Sequence, residues 1–124
     1  MPRREPSQRQ LRVSEVLRKA LAEIFLREEM ADPDLRGVPI TVSEVRVSPD
    51  LRNATAFVLP LGGTNEAQVL AALRRNQRFL RGELARRVTL KFIPALAFEP
   101  DPSFGQSERV DAILRSPRVA QDLD

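Results

Sequence analysis

The second half of the sequence carries a series of arginines whose type and spacing suit the binding of phosphate groups. Arg74, Arg78 and Arg81 follow one another at intervals of four and then three residues, a spacing that places them on one face of a helix. A guanidinium group is a planar fork of donors that can grip a phosphate at two points and stack on a base. Arg75 and Arg86 flank the row, so we expect this segment to bind a polyanion.

Positive charge is concentrated in the same part of the chain. Residues 64–92 hold seven basic and two acidic residues, whereas residues 93–124 hold three basic and six acidic ones. A milder excess lies near the N-terminus, where Arg9 and Arg12 belong to the first predicted helix. The alternative is an ordinary solvated surface, which small proteins need for solubility. The scarcity of acidic partners favours a nucleic-acid-binding surface.

Several residue types that the sequence lacks exclude most catalytic chemistry. It contains no Cys, His, Trp or Tyr, which excludes disulfides, thiol or histidine catalysis, and zinc sites built on Cys and His. The carboxylates show no spacing that would pair a general acid with a general base. No apolar run approaches the roughly 18 residues of a membrane span. We expect a cytoplasmic protein without enzymatic activity, cofactor, metal or membrane contact.

Two short motifs have simpler interpretations than ligand binding. Gly62-Gly63 lacks the following Lys and Ser or Thr of a phosphate-binding loop, so it is interpreted as a tight turn. Asp32 and Asp34 flank Pro33 and could offer oxygen ligands to a divalent ion. Their position beside a proline favours the capping or solvation of a turn instead.

The first element that the spacing predicts is a long amphipathic helix. Ser7 and Gln10 form a capping box, in which the hydroxyl accepts from a backbone amide and the Gln side chain reaches back. Apolar residues at three- and four-residue intervals then extend the helix to about Glu29. Pro33 cannot continue it and ends the segment.

A β-hairpin is predicted next. Residues 40–47 are rich in β-branched residues whose parity changes midway, which indicates a strand with a bulge. Residues 48–51 have turn chemistry, and residues 54–61 resume as a second strand that ends at Pro60. The two strands are therefore expected to pair in antiparallel fashion.

A second helical region and a third strand complete the predicted elements. Thr64 or Asn65 caps a helical segment of about 24 residues whose middle lacks apolar residues, so we predict a break near Asn76 and two helices instead of one. Residues 89–93 are predicted as the third strand, prolonged through Phe98.

The predicted fold is of the α+β class. The order is α-β-β-α-α-β, followed by a short C-terminal helix that opens at Ser103. A strand reached through a helical crossover returns parallel to its neighbour, so the three-stranded sheet is mixed, with the helices packed on one face. We expect a single domain over residues 7–115, between a flexible basic N-terminus (1–6) and a flexible tail (116–124).

Several local strings in this order resemble those of a known family over residues 9–115. The strings are Arg12-Val13, Asp32-Pro33, Thr41-Val42-Ser43, Ser48-Pro49-Asp50-Leu51, Phe79-Leu80-Arg81, and Pro94-Ala95-Leu96-Ala97-Phe98. No single string is diagnostic, but their order and spacing make the joint match specific. On these residues the chain resembles the ribosome-binding factor A family.

That resemblance implies a type II KH-like domain with a role in ribosome maturation. It implies binding to the free 30S small subunit and to its 16S rRNA near the 5′-terminal helix, during late assembly and rRNA processing and without catalysis. We expect a monomer. The predicted RNA-binding residues are Arg9, Arg12, Arg74, Arg75, Asn76, Arg78, Arg81 and Arg86.

At one point the sequence departs from the family pattern. The family carries a helix kink with an Ala-x-Gly pattern, and the matching positions here are Asn76, Gln77 and Arg78. An arginine in place of the small residue blocks the closest approach of RNA to the backbone and adds a phosphate-binding group at the same spot.

A protein-interaction module is the alternative prediction. A three-stranded sheet with helices on one face leaves the other face uncovered, and a strand edge can pair with another chain. In that case Thr55 and Phe57, expected at the edge of the hairpin, would contact the partner.

Overall fold

Three helices and three strands make up the described part of the chain, residues 5–27, 30–61 and 65–102 of a computed structural model. In chain order they are α1 (Gln8–Arg27), β1 (Ile40–Val47), β2 (Asn53–Pro60), α2 (Glu66–Arg75), α3 (Gln77–Arg87) and β3 (Ala95–Pro100). The order and the α+β class agree with the sequence prediction. The predicted helix after Ser103, the tail from residue 116 and residues 1–4 of the N-terminus lie outside the described residues.

Helix α1 begins at the predicted capping box. The Gln10 amide donates to the Ser7 Oγ at 3.1 Å, and the Ser7 amide donates to the Gln10 Oε1 at 2.9 Å. The buried side of the helix presents apolar side chains that include Leu17, Leu21 and Ile24. The helix is described to Arg27, and the predicted end near Glu29 falls on residues outside the described part.

The three strands form one mixed sheet in the order β1-β2-β3. Strands β1 and β2 are antiparallel, and their register shifts between Val42 and Glu44, which is the predicted bulge. The extra residue lets Val42 and Val45 both reach the core although their parity differs. Strands β2 and β3 are parallel, so the crossover prediction is also confirmed.

The turn between β1 and β2 is fixed by its own polar groups. The Leu51 amide donates to the Ser48 carbonyl at 2.8 Å, and the Asp50 carboxylate accepts from the Ser48 hydroxyl at 2.6 Å and from the Arg52 amide at 3.1 Å. These bonds, led by that of the Ser48 hydroxyl, lower the pKa of Asp50. Leu51 has a φ of 63°, a left-handed conformation that is uncommon for a side chain larger than Asn.

The predicted start of the third strand was wrong, whereas its predicted continuation through Phe98 is confirmed. Residues 89–93 form an irregular connection, and β3 starts only at Ala95. The pairing register with β2 begins at Asn53 opposite Ala95, and the Ala95 amide donates to the Arg52 carbonyl at 2.9 Å. Because β2 itself starts at Asn53, residues 89–93 have no strand beside them to pair with.

The core lies between the sheet and the helices. It contains the buried side of α1, the alternating inward residues of the strands, and the largest fully buried side chains, which include Leu73, Leu80, Leu84 and Phe98. On the other face of the sheet, Thr55 and Phe57 are half-exposed and Ala97 is exposed. The predicted arrangement, with helices on one face only, is thus confirmed for the described residues.

Candidate nucleic-acid interface

A break between α2 and α3 lies at the centre of the predicted RNA-binding segment. Asn76 separates the two helices with φ −101° and ψ 17°, so the chain turns without entering the left-handed region. The Asn76 Nδ2 donates to the Ala72 carbonyl at 2.7 Å and to the Asp32 Oδ2 at 2.8 Å. The predicted break is confirmed, and its side chain ties the kink to the loop after α1.

Arg75 joins the same cluster and does not point freely to solvent. Its guanidinium contacts both carboxylate oxygens of Asp32 at 2.8–2.9 Å and the Asp34 Oδ2 at 3.0 Å. Hydrogen bonds from Asn76, from the Asp34 amide and from Arg75 lower the pKa of Asp32, the Asn76 bond contributing most. More than 40 residues separate these partners in sequence, and no local pattern connects them.

Asp32 and Asp34 therefore bind the residues of the kink, a role that the sequence did not indicate. Asp32 does cap its turn, accepting from the Asp34 amide at 3.0 Å, as predicted. Its carboxylate oxygens also accept hydrogen bonds from Arg75 and Asn76. Within residues 5–27, 30–61 and 65–102, no cluster of acidic side chains could hold a metal ion.

Arg74 and Arg81 bond to the backbone of the strand β3 region. The Arg74 Nη2 donates to the Phe98 carbonyl at 2.8 Å and lies 3.6 Å from the Glu99 Oε2. The Arg81 Nε and Nη2 donate to the carbonyls of residues 94 and 93 at 3.1 and 2.8 Å. Both side chains remain accessible at the surface, because about half of the Arg74 side chain is exposed and Arg81 is an exposed residue.

Gln77 completes this coverage of the outer edge of the sheet. Its Oε1 accepts from the Leu96 amide at 2.9 Å. Leu96 and Phe98 point these backbone groups away from β2, because successive residues of a parallel strand face opposite edges. Arg74 and Gln77 thus cover the edge along which β3 would otherwise pair with another chain, and Arg81 bonds to the backbone just before that strand.

Arg78 is the member of the predicted row with the most available guanidinium. It is exposed two residues after the kink, and within the described part of the chain its side chain makes no hydrogen bond or ion pair. Phe79 beside it is 44% exposed. The predicted single row is therefore divided: Arg74 and Arg81 bond to the β3 region, Arg75 bonds to the aspartates, and Arg78 is left with all its donors.

The remaining predicted site residues are mostly exposed. Arg86 has 77% of its side chain exposed and lies 3.4 Å from the Glu83 Oε1, a carboxylate that Arg87 also holds at 2.7 Å. Arg9 and Arg12 on α1 are exposed and have no hydrogen-bond or salt-bridge partner for their guanidinium groups among the residues described. No acidic residue lies in the first turn of α1.

The residues named for the alternative, a partner docked at the sheet edge, lie elsewhere than expected. Thr55 and Phe57 belong to β2, the central strand, so neither is at an edge. The hairpin has one outer strand, β1, because the other edge of β2 is taken by β3. Phe57 is half-buried beneath the Arg46 guanidinium, 4.9 Å from its ring centre.

Comparison with known proteins agrees with the order of elements. A family model described as ribosome-binding factor A matches residues 9–114. The chain belongs to the ribosome-binding factor A family. The ribosome-binding factor A of Methylocella silvestris is 53% identical over 120 residues, which cover 97% of this chain and 77% of that protein.

Solved structures of the ribosome-binding factor A family have the same fold. The crystal structure of the Thermus thermophilus factor is 34% identical, with a TM-score of 0.61 over 73% of this chain and 94% of that one. A homology model of the Thermus thermophilus factor, fitted into a cryo-EM map of its complex with 30S, is also 34% identical, with a TM-score of 0.57 over 70% and 89% of the two chains. The family and the KH-like fold expected from the sequence are thus confirmed. No helix among the described residues is both long and apolar enough to span a membrane.

Proposed function

We propose that this chain is a non-catalytic ribosome maturation factor that binds the free 30S subunit as a monomer in the cytoplasm. It contacts 16S rRNA near the 5′-terminal helix during late assembly and rRNA processing. Family membership supports this proposal, as does the related Thermus thermophilus factor fitted into a 30S complex. The observation that carries it is Arg78, which is exposed two residues after the kink and has no side-chain partner among the described residues.

The arginines divide into binding and positioning groups in this proposal. Arg78, Arg86, Arg9 and Arg12 have donors available to phosphate oxygens, and each charge that contacts RNA releases counterions into solution. Arg74 donates to β3 and Arg81 donates to the backbone just before it, so only their remaining N–H donors can bind phosphates.

Arg75 and Asn76 act by position. The ion pair with Asp32 neutralises the Arg75 guanidinium. Together with the Asn76 hydrogen bond to the same carboxylate, it holds the end of α2 against the loop after α1. A fixed kink keeps the first turn of α3, and with it Arg78, in one orientation. Such preorganisation lowers the conformational entropy that binding must otherwise remove.

Sedimentation with small subunits tests the proposal. Arg78→Gln removes a guanidinium that has no hydrogen-bond or ion-pair partner among the described residues, and Arg27→Gln removes an exposed charge on the last turn of α1. Loss of one phosphate contact should reduce the salt slope of binding by about 0.7–0.9. The lost contact also weakens binding at a fixed salt concentration. We expect less Arg78→Gln protein than wild type or Arg27→Gln protein in the 30S fraction of a sucrose gradient. Equal co-sedimentation of the two variants would contradict a role for the kink, and wild type that stays at the top of the gradient would contradict 30S binding.

A further inference from the structure

A small pocket opens where three segments meet, away from the kink. One side is the first half of α1 with Arg9, another is the β1–β2 turn with Leu51 and Arg52, and the third is the connection before β3 with Lys91 and Phe92. Its volume is about 290 Å³, at the lower limit for ligand pockets. That space suits a single ring system better than a large ligand.

Tertiary contacts hold the three walls in place. The Ala95 amide donates to the Arg52 carbonyl at 2.9 Å, which joins the connection before β3 to the hairpin turn. Leu51 and Leu90 are half-buried and pack against the core. The pocket is therefore built on anchored backbone, although two of its walls are loops.

Phe92 is the most exposed aromatic side chain in the described part of the protein, at 63%. Burial of a phenylalanine ring ordinarily stabilises a fold, and the neighbouring Leu90 and Ile93 do pack against the core. The fold thus leaves this one ring outside while its neighbours in sequence turn inward. The Lys91 ammonium lies 5.7 Å from the ring centre, so the exposed ring is paired with a cation.

The charges around the ring are mainly positive. Arg9, Arg52 and Lys91 line the pocket, and their side chains make no hydrogen bond or ion pair with any described residue. Asp50 is the acidic group in the lining, and its carboxylate is engaged by the Ser48 hydroxyl and the Arg52 amide. A net positive pocket with an aromatic wall is complementary to a ligand that combines a ring with a phosphate.

We propose that this pocket binds one unpaired nucleotide of RNA, with its base stacked on Phe92 and its phosphates held by Arg9, Arg52 and Lys91. Single-stranded nucleic acid is commonly bound by this combination of a stacking ring and basic side chains. The inference rests on the proposed function and adds a second contact point, separate from the kink. An acidic peptide would suit the cations but gives no reason for the exposed ring.

Tryptophan fluorescence can test the stacking directly, because the chain contains no Trp. Phe92→Trp places a single fluorescent ring at the pocket, and Leu26→Trp places one at an exposed apolar position near the end of α1. Titration with a ten-nucleotide single-stranded RNA of mixed sequence should quench the Phe92→Trp emission and leave the Leu26→Trp emission unchanged. Inorganic polyphosphate, which has charge but no bases, should not quench either variant.

Affinity measurements then separate stacking from simple apolar contact. Phe92→Leu keeps an apolar side chain, and a lost base stack should weaken binding of the same RNA by about 5- to 140-fold. Phe92→Trp should bind within a few-fold of wild type. Unchanged affinity of Phe92→Leu, or no quenching of Phe92→Trp at saturating RNA, would overturn the proposal.

The same variants distinguish failure of this inference from failure of the proposed function. If Phe92→Leu binds RNA and co-sediments with 30S as wild type does, the pocket is not a nucleotide site and the proposed function stands. If wild type binds neither the RNA nor the 30S subunit, both proposals fail together. A stronger effect of acidic peptide than of RNA on the Phe92→Trp emission would also overturn the nucleotide assignment.

Discussion

At the scale of single residues, the most informative group is Asp32. Its carboxylate accepts hydrogen bonds from the Asn76 side chain and the Asp34 amide, and it forms an ion pair with Arg75. One carboxylate therefore fixes both a turn and a helix kink. The sequence showed Asp32 as a turn residue and Arg75 as a surface cation. It could not show their contact, because that contact depends on how α2 packs beside the loop after α1.

Asp32 gives a pH-dependent prediction. Its pKa in the folded protein is lowered, so the ionised carboxylate stabilises the fold above the unfolded pKa of about 3.9. This stabilisation is lost as the pH falls below about 4 and through the lower folded pKa. Asp32→Asn should therefore unfold at lower urea concentration than wild type at pH 7, and the difference should shrink below pH 4.

The control is a carboxylate with a weaker partner. Glu23→Gln removes an exposed group that lies 3.8 Å from Arg27 on α1. Surface pairs of this kind contribute about 0–1 kcal/mol, so its urea midpoint should stay near that of wild type at pH 7. A constant gap between Asp32→Asn and wild type from pH 7 down to pH 2 would contradict the assigned role of the carboxylate.

At the scale of elements, the arginines of α2 and α3 belong partly to the sheet. Arg74, Gln77 and Arg81 bond to backbone groups of β3 and of the two residues before it. A four-and-three spacing describes a continuous helix, and the break at Asn76 removes that continuity. Arg78 and Arg81 both lie in α3 after the break, and their surroundings differ because Arg81 bonds to the carbonyls of residues 93 and 94 whereas Arg78 has no side-chain partner among the described residues.

Substitution of each arginine by Met tests whether its side chain contributes to the stability of the fold. Arg81→Met removes the hydrogen bonds to the carbonyls of residues 93 and 94, so we expect a loss of about 1 kcal/mol, within the net range of intramolecular hydrogen bonds. For a chain of this size that corresponds to a drop in Tm of about 4 °C. Arg78→Met should change the unfolding free energy by less than about 0.5 kcal/mol. Thermal denaturation measures both, and equal Tm values for the two variants would show that the Arg81 bonds do not stabilise the fold.

At the scale of the whole molecule, the net charge of +3 conceals a division between engaged and available cations. Arg9, Arg12, Arg78 and Arg86 have donors available, and Arg52 and Lys91 add two more at the Phe92 pocket. Arg75 is already paired with two carboxylates. The number of phosphates that the protein can neutralise is therefore smaller than the number of its surface arginines.

Salt dependence of binding measures that number. Four to six phosphate contacts on single-stranded RNA predict a log-log slope of about −3 to −4 between binding constant and salt concentration. If Arg74, Arg75 and Arg81 also bound phosphates, the slope would be about −5 or steeper. Filter binding over a salt series measures the slope, and a flat response would dismiss phosphate binding as the source of affinity.

The sequence alone was enough for the features that depend on neighbouring residues. The capping box at Ser7, the bulge in β1, the break at Asn76 and the family follow from local spacing and turn chemistry. The start of β3 at Ala95 was not predictable in this way, because strand pairing depends on where β2 begins.

Only the tertiary structure decided which cations are available and which ring is exposed. Arg75 meets Asp32, Arg81 meets the backbone before β3, and Phe92 lies outside the core beside Lys91. Each of these outcomes depends on groups brought together from distant parts of the chain. Periodicity describes one element at a time, so it identifies the side chains that an element presents but not the partners that the fold places against them.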